Sequence, residues 1–169
     1  MGDMGRSLGL VLAVVLLLLL VGPARTLLFP GDNRQPAVDY RDQVTGFGQV
    51  AHTPALVPAR LPSQWRANGA DLTLSKQHGA HLHIGWGLPD DRYAGLDETD
   101  GDPATLLQQV LGHRGLAVTG TREVGGAQWQ VRRSQRGETA LTRTAGAVTV
   151  VVTGSASEAQ LDLLAASLH

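Results

Sequence analysis

Cysteine is absent from the 169 residues, which excludes a disulfide framework, a thiolate zinc site and attachment of a lipid through a lipobox cysteine. The same absence leaves the redox compartment open. An excess of either charge is also missing: 14 Lys and Arg against 15 Asp and Glu leave a net charge of −1. That is too weak a field to collect nucleic acid or an anionic membrane surface. Lys76 is the single lysine, so arginine carries almost all the positive charge, a bias that fits a GC-rich genome. Aromatics are scarce, with three Trp, two Tyr and two Phe. Trp65, Trp86 and Trp129 are therefore expected in the core rather than lining a ligand pocket.

One long apolar run stands out, residues 8–21, LGLVLAVVLLLLLV. These 14 residues rise only about 21 Å as a helix, short of the roughly 30 Å hydrocarbon layer. Extension through GPARTLLF to Phe29 gives 22 residues and about 33 Å, with Arg25 snorkelling toward the headgroups. The expectation is a short cytoplasmic N-terminus at 1–7, a transmembrane anchor or signal sequence at 8–29, a tether at 30–37 and one domain at 38–169. Gly22 and Ala24 supply the small residues a signal peptidase reads, so the alternative is a protein secreted after cleavage near Ala24. Arg6 on one side and Arg25 with Arg34 on the other leave the orientation undecided by charge.

Beyond the tether, Val38, Val44, Phe47 and Val50 fall at helical spacings, with Gly46 and Gly48 weakening that helix. Residues 53–65, TPALVPARLPSQW, hold three prolines and predict an extended segment anchored by Trp65. From Ala70 the period drops to two: Leu72 and Leu74, then Leu82, Ile84 and Trp86 across a turn at 76–79, predict an antiparallel pair. Asp102-Pro103 starts a short helix with Leu106, Leu107, Val110 and Leu111 inward and a stop at Gly112 or Gly115. Strands at 116–124, 127–135, 138–144 and 147–153 follow, separated by links short enough for hairpins. The last, AVTVVVT, has the composition of a central strand buried on both faces. A closing helix at 158–168 buries Leu161, Leu164, Ala165 and Leu168. The fold class is α+β, an antiparallel sheet of about five to seven strands with packed helices behind an N-terminal transmembrane helix.

His78, His81 and His83 form the sharpest polar cluster. Alternation puts His81 and His83 on one strand face, with His78 able to fold back from the turn. Three imidazoles suit zinc or copper, but no carboxylate lies in the same segment, so histidines on a solvated strand face are the plainer expectation. Residues 97–102, DETDGD, do not follow a calcium-loop register and read as a solvated loop leading to the Asp102 cap. Arg132, Arg133 and Arg136 gather at a hairpin. They are expected to guard an edge against aggregation, with an anionic wall polymer or lipid headgroup as the other partner they could meet. Gly154-Ser155-Ala156-Ser157 reads as helix capping, because its spacing is not that of a nucleophile elbow. No catalytic residue is expected.

The order Gly126 and Trp129, Ala140-Leu141, Gly146 with VTVVVTGSAS, then LDLLAASL resembles an uncharacterised actinobacterial family, domain of unknown function 4245. Residues 57–65, VPARLPSQW, and 84–96, IGWGLPDDRYAGL with Tyr93, are similar to that family's Pro-rich stretch and its Gly-aromatic turn. The resemblance implies an extracytoplasmic domain on a single anchor in an actinobacterial cell membrane, and it supplies no reaction. The layout is also similar to the Mog1/PsbP-like sandwich of some mycobacterial envelope lipoproteins, a likeness of fold only. The functional expectation is a non-catalytic binding or assembly module of the cell envelope. It would meet the membrane through its N-terminal helix and an envelope protein, lipid or wall polymer through its domain, without nucleic acid or cofactor. The alternative is a zinc- or copper-binding protein centred on His78, His81 and His83.

Overall fold

The computed structural model describes residues 37–89 and 91–169. The expected N-terminus at 1–7, the anchor at 8–29 and the tether up to residue 36 lie outside them. Among the described residues no helix is long and apolar enough to cross a membrane.

Helix α1 (Arg41–Ala51) is held to the sheet by Phe47, fully buried, and by half-buried Val44. Val38 and Val50, expected on the same stripe, are exposed. Gly46 faces Leu72: a Cβ there would stand 2.8 Å from the leucine Cδ2, so the residue that weakens the helix also lets it approach the sheet. The Pro-rich segment ends in a turn at 63–64, where Trp65 N donates to Pro62 O, and is bracketed to the chain end by Ala59 N donating to Ser167 O and His169 N donating to Val57 O. Trp65 is only half-buried against the core.

Seven strands follow: β1 (Arg66–Ser75), β2 (Gly79–Gly87), β3 (Tyr93–Thr99), β4 (Val118–Val124), β5 (Ala127–Arg133), β6 (Thr139–Ala145) and β7 (Val148–Thr153). All pairings are antiparallel, in the order β1-β2-β3-β7-β6-β5-β4. Two meanders, β1–β3 and β4–β7, thus meet at the β3–β7 seam. Helix α2 (Pro103–Leu111) and a 3₁₀ turn (His113–Leu116) carry the chain from β3 to the far edge, and α3 (Glu158–Ser167) closes it.

The two faces of the sheet are covered differently. Leu82, Ile84, Trp86, Leu96, Trp129, Leu141, Val150 and Val152 point toward α1, the Pro-rich strap and Leu161 and Leu164 of α3, making the main core. On the opposite face α2 packs Leu106, Leu107 and Leu111 on Ala140 and Val151. Alternate valines of β7 therefore serve different cores, which is why this strand is β-branched almost throughout. Caps are local: Asp102 accepts from Ala104 N and Thr105 N, and Ser157 with Gln160 forms a reciprocal capping box.

Three expectations need correcting. β1 starts at Arg66 rather than Ala70, and Leu74, expected inward, is 58% exposed because the end of this edge strand overhangs the core. Residues 97–99 are not solvated loop but the end of β3, with Asp97, Glu98 and Thr99 all buried. Arg132 is not an exposed hairpin guard; it is 8% exposed, its guanidinium folded back onto the 3₁₀ turn.

Candidate functional site

A polar network lies on the part of the second sheet face that α2 leaves open. Pairing of β2 with β3 sets His83 opposite Asp97, His81 opposite Thr99 and Gly85 opposite Gly95. Both imidazoles converge on one carboxylate oxygen: His81 Nε2 and His83 Nδ1 each stand 2.8 Å from Asp97 Oδ1. Tyr93 completes the row, its hydroxyl 2.8 Å from His83 Nε2 and its ring stacked on the imidazole at 6.5 Å. Asp71 of β1 pairs across from His83.

The tyrosine reaches this position because two glycines leave the sheet bare beneath it. A Cβ on Gly85 would come within 2.5 Å of the Tyr93 hydroxyl, and one on Gly95 within 3.1 Å of its ring. Any larger residue at Gly85 would lift the ring off the sheet.

Asp97 is buried, yet the imidazoles remain partly open to solvent, with side chains of His81 and His83 27% and 36% exposed. Burial works against the Asp97 charge, but the two imidazole hydrogen bonds outweigh it and hold the carboxyl below its ordinary value. The Asp97 hydrogen bond raises the His83 pKa against burial, and the charges of Asp97 and Asp71 add to it. Burial, with the Asp97 charge, pushes the Tyr93 hydroxyl up to about 12. With His83 neutral, its Nδ1–H donates to Asp97 and its Nε2 accepts from Tyr93; protonation reverses the second bond, so that Nε2–H donates to the phenol oxygen.

The row Asp97–His83–Tyr93 has the connectivity of an acid, base and hydroxyl array. What it offers is a fixed, charge-bearing donor and acceptor surface. His78 lies exposed in the β1–β2 turn, its backbone N–H donating to Ser75 Oγ, and borders with His81 a small pocket of about 70 Å³ beside the row. Among the described residues no group of three or more His, Cys, Asp or Glu side chains is disposed to hold a metal ion.

Alternation alone placed His81 and His83 on one face; Asp97 and Tyr93 escaped it. The signal for Asp97 was the alternation of Ala94, Leu96 and Glu98 against Gly95, Asp97 and Thr99, hidden by an acidic composition typical of loops. A second carboxylate, Glu98, projects the other way into the main core and is fully buried. Burial drives its pKa up to about 8, against the hydrogen bond donated by Leu56 N and the charge of Arg143.

The model of a family described as protein of unknown function, DUF4245, matches residues 1–168. The chain belongs to the DUF4245 family. No curated protein and no solved structure matches it. In this DUF4245 chain the match runs through every residue of the network, from Asp71 to Asp97, and through both meanders.

Proposed function

We propose that this DUF4245 protein is a non-catalytic binding module of an actinobacterial cell envelope, held at the membrane by residues 8–29 with residues 38–169 on the outer side. One observation carries the reading: the sheet is sealed on one face, whereas on the other the Tyr93–His83–Asp97–His81 row is built in full and left half-open. A row with a buried carboxylate and accessible imidazoles is suited to meeting a polar partner. Helices on both sides of one antiparallel sheet also support the Mog1/PsbP-like reading of the layout, at the level of fold alone.

The test is site-specific photocrosslinking in intact cells. A photoreactive residue replaces exposed Thr73, which pairs with His81, and a control probe replaces exposed Val118 on the far edge strand. A discrete envelope adduct from position 73, missing from position 118 and weakened by His83→Gln, is the expected result. Adducts identical from both positions, or none from either, would overturn the reading. Native mass spectrometry of untagged protein covers the alternative, since stoichiometric zinc or copper lost in His81→Ala would assign these histidines to a metal instead.

A further inference from the structure

On the other side of α2 the same sheet face sinks into a groove of about 460 Å³, floored by β5 and β6 and walled by Pro103 and Leu107 of α2. Its size falls in the range of small-ligand sites. Its polar side chains are the hydroxyls of Thr121, Thr142, Thr144 and Thr149, the amides of Gln128 and Gln130, and the guanidinium of Arg132. Trp129 and Arg143 also border it, but strand alternation sends their side chains to the opposite face, where Arg143 lies 4.8 Å over the Trp129 ring. Among the described residues no carboxylate lines the groove.

Arg132 is the residue that gives this groove a preference. Its Nε donates to Thr142 Oγ1 at 3.0 Å, Nη2 to Gln130 Oε1 at 2.7 Å, and Nη1 to the main-chain oxygens of Leu116 and Gly115. All four acceptors are neutral, and among the described residues no acid pairs with it. One Nη2 N–H of the five is left over. Burial alone pulls its pKa below the ordinary value, with no carboxylate to raise it back. A guanidinium held rigidly by neutral oxygens keeps its whole charge at the floor of the groove, where an unpaired buried cation is costly.

We infer that this groove is an anion site, taking a phosphate ester of a polyol or sugar whose phosphate faces Arg132 and whose hydroxyls meet the surrounding threonine and glutamine side chains. The free Nη2 N–H can give a phosphate oxygen one charge-assisted hydrogen bond, and the ring of hydroxyls and amides matches the rest of such a molecule. The site is separate from the histidine row and does not depend on its function. A lipid headgroup and a soluble ester share this chemistry.

The experiment is calorimetric titration of the full chain in phosphatidylcholine nanodiscs with glucose 6-phosphate, beside glucose. Saturable binding of the ester, at least tenfold tighter than glucose, is expected. Arg132→Gln should abolish it, but that change also frees the 3₁₀ turn, so Thr144→Glu is the sharper variant: Thr144 is exposed, and a carboxylate there should cost tenfold or more, well beyond the loss from Thr144→Gln, which removes the hydroxyl without adding charge. Loss of binding when phosphatidylglycerol replaces part of the phosphatidylcholine identifies a lipid headgroup as the competing source; undiminished binding identifies a soluble ester. Absence of ester binding, equal affinity for glucose, or full binding by Thr144→Glu would overturn the assignment.

Discussion

At the scale of single residues, the two buried carboxylates of β3 make opposite predictions. Asp97 has a lowered pKa and His83 a raised one. The stability that Asp97 draws from its charge is present above the ordinary carboxyl pKa and lost as pH falls through its depressed value. That of protonated His83 is present below the ordinary imidazole pKa and lost as pH rises through its elevated one. Asp97→Asn should bring the His83 midpoint back toward about 6.5 and cost about 1–3 kcal/mol. An unchanged imidazole titration by NMR in that variant would show that Asp97 does not set it. Glu98 runs the other way, because its folded pKa is raised from 4.5 to about 8. Between these values the folded state holds a proton the unfolded chain has released, so stability falls as pH rises. Relative to Glu98→Gln, the wild-type folding constant should drop by about tenfold per pH unit across that window. Parallel stability profiles of the two proteins in chemical denaturation would refute this. Neither carboxylate was legible in advance as a buried group: DETDGD has the composition of a solvated loop, and only pairing with β2 and β7 takes Asp97 and Glu98 out of water.

At the scale of elements, what depends on near neighbours was readable and what depends on a facing strand was not. The start of α2 follows from Asp102 and Pro103, because an N-cap needs only the next three residues. Asp102→Ala should destabilise the fold, measured as a lowered denaturation midpoint without a change in its slope. The hairpins β4–β5, β5–β6 and β6–β7 were likewise visible from their short Gly-containing links. Helix α3 is tied down by a contact no local pattern contains: Arg122 of β4 reaches Asp162 at 2.9 Å and Glu158 at 2.7 Å. Gly85→Ala belongs to this scale as well, since its effect passes from β2 to a side chain on β3. The added methyl should displace the Tyr93 ring, removing its bond to His83 and lowering the phenol pKa from about 12. An ultraviolet titration of the tyrosines that matches wild type would contradict the glycine cradle.

At the scale of the whole molecule, the sheet closes only when β3 finds β7, across the whole of α2 and the second meander. Such non-local pairing is slow to form, so refolding of residues 37–169 should proceed on the millisecond-to-second scale. Relaxation in microseconds by temperature jump would show that the seam is not what limits folding. The sequence by itself determined the class, the hairpin order, both caps and the face shared by His81 and His83, because turn chemistry, capping and strand alternation act within a few residues. Tertiary structure alone decided that β3 is an inner strand, that Asp97 gathers two imidazoles and a tyrosine, and that Arg132 lies buried in a groove without an acid. Those outcomes come from register between distant strands and from which face a single helix happens to cover, and neither is encoded in any local stretch of chain.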